Sequence, residues 1–265
     1  MIISIVNFSA LSDEEMQRTI RAINRQLDRD FEPYWHMGAR LRLEGPAGRE
    51  PRRQNPSELR GDGIVYVWDE VDIPGALGYH DANNRGIPYG FVFRELCDEI
   101  GEPWSVTLSH EALEMVGDAN VNLLAAGPNP TEPEKTVFFW YEMCDAVQAD
   151  QYEIDSVVVS NFVLPLYFTI HEEVGGRNDF LGRAHEGVTL RSFGINPGGY
   201  VGFFNPETGE HEVYARKGDE EAARRLATKA RASVTRRAVR YRQLARRTAQ
   251  AAALIYPEAA TIITH

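Results

Sequence analysis

The sequence predicts an α+β fold: a mixed sheet with one helix that carries the candidate chemistry, then a β-rich lower part and a long C-terminal helix. Three observations predict it. Short apolar runs bounded by Gly, Pro and Asn recur between residues 2 and 211, a Ser-His-Glu segment at 109–111 sits in a helical pattern, and small apolar residues recur at three- and four-residue steps over 219–253.

Residues 2–8, Ile-Ile-Ser-Ile-Val-Asn-Phe, read as a buried strand. Ser12-Asp13-Glu14-Glu15 opens a helix with acidic residues in its first turn, continuing to about Leu27 through Met16, Ile20 and Ile23. A second strand is expected over 34–44, ending at Gly45-Pro46, and a polar, arginine-containing loop fills 47–61. Gly63–Trp68 is a third strand. Two further short strands, 76–81 and 89–93, flank the turn Asn83-Asn84-Arg85-Gly86. The Ser-His-Glu helix follows. Residues 136–142 and 156–168 supply strands, and 175–211 read as loops and short strands.

His110 and Glu114 are four apart, so a helix stacks them on one face. Glu111 follows the histidine directly, where the zinc protease motif H-E-x-x-H carries its general base. Here the pattern is H-E-x-x-E, and zinc accepts a Glu oxygen as it accepts a His nitrogen. Pro103 and Ser105 give the helix a start signal and Gly117 suits its C-terminal cap. Leu108, Ala112, Met115 and Val116 form an apolar stripe, which sets His110 and Glu114 toward a cleft. The plainer alternative is a half-exposed helix with solvated glutamates.

A catalytic zinc site needs three protein ligands and an open position for water, with a carboxylate to take the water's proton. His110 and Glu114 are two ligand candidates and Glu111 is the candidate base. The third ligand is Asp118, folding back beyond the helix, or Glu142 from a separate element, with Asp145 as its supporting partner or a further ligand. The spacing leans to Glu142; for Glu142 and Asp145 a strand end with carboxylates on backbone N–H groups is the competing reading. So many carboxylates around one histidine also suit Mn, Ca or Mg. At the edge strand, His80 and Tyr79 are candidates for substrate binding, against a turn role for His80 and Asp81 and core packing for Tyr79. The other histidines, His36, His171, His185, His211 and His265, have no companion at ligand spacing.

The order of elements resembles the upper half of a zincin metallopeptidase, in which an outer strand lies over a cleft floored by the H-E helix. More closely, Ala76-Leu-Gly-Tyr-His-Asp81, Pro88-Tyr-Gly90, Trp104-Ser-Val-Thr-Leu-Ser-His-Glu-Ala-Leu-Glu114 and Ser160-Asn-Phe-Val-Leu-Pro165 resemble an uncharacterised bacterial and phage family of zincin-like metallopeptidases. The resemblance covers roughly residues 1–170. Asp118-Ala119 departs from that family's Asp-Pro after the helix, whereas Glu142-x-x-Asp145 is similar to the E-x-x-D stretch of related peptidases. With the resemblance, the body is expected to form a zincin-like domain over 1–215, and the charge and helical periodicity beyond it mark a basic helical extension over 216–265. It also implies a zinc-dependent hydrolase acting on peptide or protein. The missing second histidine of the motif keeps a second class open: a zincin-derived binding or assembly protein without catalysis.

Composition narrows the alternatives. The chain has no run of eighteen apolar residues, so no membrane span is expected, and its N-terminus lacks the pattern of a secretion signal. Cys97 and Cys144 are its two cysteines, with no C-x-x-C spacing, which points to a reducing, cytoplasmic compartment. Nucleotide-binding glycine loops and the G-x-S-x-G elbow are absent. The net charge of −11 is uneven: residues 216–265 carry 12 Lys/Arg against 4 Asp/Glu, while the other 215 residues carry 16 against 35. A basic helix beside an acidic body predicts salt-sensitive docking within the chain or in a homo-oligomer. Nucleic-acid binding is the disfavoured rival, since aromatics beyond Tyr241 are not interleaved with the charges.

Overall fold

The computed structural model describes residues 1–45, 60–69, 77–83, 85–171 and 175–223. They form a mixed α+β architecture. The first sheet has five strands in the order β2-β1-β3-β5-β4. Its strands are β1 (Ile2–Phe8), β2 (Arg40–Glu44), β3 (Gly63–Trp68), β4 (Gly78–Ala82) and β5 (Pro88–Phe93). β1, β2, β3 and β5 run parallel, and the edge strand β4 runs antiparallel to β5.

Alternation along these strands divides the sheet into two faces. Ile3, Ile5, Val65, Val67 and Val92 turn to the main core, whereas Val6, Ile64, Tyr66, Tyr79, Phe91 and Phe93 form a second cluster. The second cluster is aromatic, with Tyr66 and Tyr79 stacked on Phe91 at 5.2 and 5.3 Å. Burial on both faces explains why β1 and β3 read as continuous apolar runs.

Helix α1 (Asp13–Arg25) covers the main-core face. The Ser12 hydroxyl accepts the Glu15 N–H at 3.2 Å, and Met16, Ile20 and Ile23 lie buried one turn apart. The chain then departs from expectation. Gln26–Phe31 forms a π-helical turn that runs into α2 (Glu32–Trp35), so the helical stretch passes Leu27 and the second strand begins at Arg40 rather than at residue 34. The reason is packing: the extension buries Phe31 and Trp35, and Trp35 Nε1 donates to the Val163 carbonyl at 3.0 Å.

α3 (Arg94–Ile100) leads into α4 (Trp104–Gly117), the helix that carries His110. α4 packs on β4 and β5 on one side and on β9 (Val157–Ser160) on another. It is therefore buried nearly all round, including His110, Glu111 and Glu114, which overturns the plainer alternative of a half-exposed helix with solvated glutamates. Ser105 does not cap the helix; its hydroxyl donates to the Val158 carbonyl at 2.7 Å. Gly117 lies inside the last turn, where a Cβ would overlap the Met143 side chain, and Asp118 follows as the cap residue.

Beyond α4 the chain is β-rich. β6 (Leu124–Pro128) and β7 (Thr136–Trp140) join β12 (Tyr200–Asn205) and β13 (Glu210–Ala215) in an antiparallel sheet of order β13-β12-β7-β6. β8 (Gln151–Ile154) pairs with β9, and β10 (Ala184–His185) with β11 (Val188–Thr189). Two expected strands are shorter than the sequence suggested. β7 stops at Trp140, leaving Glu142 in the following loop and Asp145 at the start of a 3-10 turn (Asp145–Val147), and the 156–168 run breaks before Pro165, which starts another.

Asp219 caps a helical start at 220–223, accepting the Ala222 N–H at 2.9 Å. The remainder of the expected helix, from 224 onward, lies outside the described residues. Within the described residues no helix is long and apolar enough to cross a membrane.

Candidate metal centre

The site is assembled from three elements: α4, the loop after β7, and the edge strand β4. The helix is fixed first. Ser109 Oγ donates to Gln26 Oε1 at 2.7 Å and accepts the Ser160 N–H at 3.1 Å, locking α4 between the π-helical turn and β9. Gln26 Nε2 in turn donates to the Ser160 carbonyl at 2.8 Å. These bonds are buried, so they set the rotation of α4 about its axis and the direction of its next residues.

His110 and Glu114 meet as their spacing predicts, with Nε2 and Oε1 3.2 Å apart. The loop after β7 brings Asp145 to the same imidazole, its Oδ1 3.2 Å from His110 Nε2. Glu114 also anchors that loop, for Oε1 accepts the Cys144 N–H at 3.1 Å. The loop is backed by the Ser160–Pro165 stretch, where the Val163 N–H donates to the Met143 carbonyl at 2.7 Å. Glu142 sits beside the cluster as a charge acting on His80 and Glu114.

His80 arrives from the other side. Register opposes it to Gly90 on β5 and turns it toward α4, the same face as Gly78 two residues before. At Gly78 a Cβ would stand 2.7 Å from Thr107 Cγ2 and 3.1 Å from Glu111 Cγ, so glycine is what lets helix and strand approach this closely. The result is a pairing the sequence left open: His80 Nδ1 lies 3.2 Å from Glu111 Oε2 and 3.8 Å from Glu114 Oε2. Among the described residues, Nε2 of the same ring is buried without a hydrogen-bond partner.

Two overlapping groups can thus hold a metal ion: His80, Glu111 and Glu114, and His110, Glu114 and Cys144, each with ligand atoms within 4.8 Å of one another. Ligands on a tetrahedral zinc about 2 Å away stand about 3.3 Å apart, close to the 3.2–3.8 Å separations of the His–carboxylate pairs. Among the described residues, Glu111 and Glu114 have only His80 and His110 as ion-pair partners. Burial, with Glu142 and Asp145 nearby, outweighs His110 and raises the Glu114 carboxyl to about 7. Burial works against the His80 cation, but the bond to Glu111 and the charges of Glu142, Glu111 and Glu114 win, raising it to about 9. Such a set gathers negative charge in a water-poor place, the condition a divalent cation relieves.

The other candidates stand elsewhere. Asp118 is buried and accepts the Asn122 and Leu123 N–H groups at 3.0 and 2.9 Å, one on each oxygen, which holds the turn after α4. Tyr79 packs in the aromatic cluster on the opposite face of the sheet from His80. The turn chemistry expected of Asp81 belongs mainly to Asn83, whose Oδ1 accepts the Arg85 and Ile87 N–H groups.

Tyr200 on β12 is a residue the sequence did not single out. It is buried, and its phenol bonds Asp145; burial comes first and Asp145 and Glu114 next in pushing its pKa well up. Only the pairing of β12 with β7 brings it there, and no local pattern signals it. Cys144 is buried and unbridged, and its Sγ donates to the His110 carbonyl at 3.8 Å. Burial first, then Glu114 and Asp145, raise that thiol well above its usual range. A groove of about 750 Å³ on the second sheet, lined by Gly127, Lys135, Ile170 and Phe193 among others, includes none of these residues.

Comparison with family models, with curated proteins and with solved structures returned no match.

Proposed function

We propose that the chain is a metal-dependent hydrolase of zincin type, with zinc held by His110, Glu114 and Asp145 and with Glu111 as general base. The observation that carries this reading is the convergence of His110, Glu114 and Asp145, drawn from a helix and a distant loop, at 3.2 Å on one imidazole nitrogen. The antiparallel edge strand packed against α4 supports the zincin reading, as does the position of Glu111 next to His110. When bound, zinc would supply Lewis acidity toward a carbonyl and acidify water. The chain's own residues then have separate roles. Glu111 would hold the proton taken from water, and the His80 imidazole at 3.2 Å fixes the carboxylate's direction. Tyr200, bonded to Asp145, orients that carboxylate from behind. Peptide or protein is the substrate class the H-E helix suggests.

Glu111→Gln tests the reading. The amide keeps the shape and loses the base, so the variant should still bind zinc at His110 and lose hydrolysis of a casein or mixed-peptide substrate by about 10²-fold or more. Unchanged hydrolysis would remove Glu111 from the reaction.

A second reading rests on burial. His80, His110, Glu111, Glu114 and Asp145 are each at most 7% exposed, and a closed ligand set is the mark of a structural metal rather than a catalytic one. On that reading the chain is a zincin-derived binding or assembly protein. Zinc bound and held without hydrolysis of any peptide would favour it.

A further inference from the structure

The two ligand groups share one residue, and its two oxygens divide between them. Glu114 Oε1 lies 3.2 Å from His110 Nε2, and Oε2 lies 3.8 Å from His80 Nδ1. On the His110 side stand Asp145, at 3.2 Å, and the Cys144 sulfur. On the His80 side stands Glu111, at 3.2 Å. A carboxylate that offers one oxygen to each of two separate donor sets has the geometry of a bridge between two ions, which in binuclear hydrolytic sites stand about 3.5–4 Å apart.

We propose that this site takes two divalent cations, bridged by Glu114: one at His110, Asp145 and Cys144, the other at His80 and Glu111. The inference rests on the metal-binding reading above and goes beyond it in number of ions and in ligands. His80 points to the second ion: it is 7% exposed, and its Nδ1 lies 3.2 Å from Glu111 Oε2 and 3.8 Å from Glu114 Oε2. A buried imidazole nitrogen facing two carboxylates at separations one ion can span can take a cation in place of the proton it shares with them. Residue chemistry agrees: one His with carboxylate oxygens suits Mn or Zn, whereas the Cys144 side is softer and suits Zn.

The second ion has a consequence for the first. Its ligand set includes Glu111, so an ion seated there takes up the carboxylate that would otherwise accept a proton. The one-ion state is then the state with a base at hand, and the two-ion state is the one without it. Metal supply would thus set the activity of this site in both directions.

Native mass spectrometry of the full-length chain, stripped of metal and titrated with zinc, counts the ions directly. Two zinc ions per chain are expected, falling to one in His80→Ala and to one in His110→Ala. Saturation at one ion in the parent chain overturns the second site while leaving the metal-binding reading intact; no zinc at all overturns both. Two ions retained in His80→Ala would place the second ion elsewhere and also overturn the inference. A measurement free of variants guards against misfolding of either one. With Co²⁺, a divalent ion that accepts thiolate, imidazole and carboxylate, at two equivalents, electron paramagnetic resonance of the parent chain should show the signal of a coupled pair, and two independent single-ion signals would contradict the bridge.

Discussion

His80 Nδ1, on an antiparallel edge strand, lies 3.2 Å from Oε2 of Glu111, on the helix that carries His110. The pairing makes one unit of two segments 31 residues apart in the chain. It also makes the spacing of strand and helix a determinant of the site, and glycine sets that spacing.

Gly78→Ala tests this dependence. The added methyl would meet Thr107 Cγ2 at 2.7 Å and the Phe91 carbonyl oxygen at 2.8 Å, and the carbonyl belongs to the backbone and cannot turn aside. Overpacking of this kind costs about 1–3 kcal/mol. Denaturant unfolding should show a loss in that range, together with weaker zinc uptake as β4 moves from α4. A variant as stable as the parent would mean that the close approach is not needed.

Ser109→Ala is expected to destabilise by about 1–3 kcal/mol, since it leaves Gln26 Oε1 and the Ser160 N–H without their buried partner. Circular dichroism melting of the metal-free chain measures it. Ser105→Ala removes one bond to the Val158 carbonyl and should cost less, because that site is only partly buried.

Much of this architecture is legible in the sequence. Gly63–Trp68 is a strand with the limits its composition suggests, and the i,i+4 spacing of His110 and Glu114 places their side chains together. Glu142 and Asp145 stand out as a pair, yet only the end of β7 at Trp140 puts them in a loop free to reach α4. His80 is harder to read. Its neighbours Asp81 and Asn83 carry turn signals, and the face to which it points depends on a register with β5 that local sequence does not encode. Tyr200 is harder still, since it reaches Asp145 only after two distant strands pair. The expected strand at 34–44 failed in its first half for a similar reason: burial of Trp35 against the 160–165 stretch outweighs its β propensity.

The metal-free chain should lose stability as pH rises from about 5 to 9. The His80 pKa is about 9 in the fold against 6.5 ordinarily, so its contribution is full below about 6.5 and fades as pH climbs through 9. Glu114 is raised to about 7 from 4.5, so the fold holds that proton longer than the unfolded chain and also loses stability as pH rises through this window. Both shifts act in one direction. Zinc, which takes the deprotonated ligands, should reverse the trend and release protons on binding at pH 7. Melting temperatures across pH 5–9 with and without zinc, and proton release followed with an indicator dye, check each half. A metal-free chain that gains stability up to pH 9 would contradict the assignment of these shifts.

The central claim is that His110, Glu114 and Asp145 hold a metal. The most direct measurement is the metal content of the purified full-length chain, before and after dialysis against micromolar zinc, beside His110→Ala. The account predicts at least one zinc per chain and a lower zinc content in the variant. A chain that remains zinc-free under those conditions, or a variant that binds as much zinc as the parent, would contradict it.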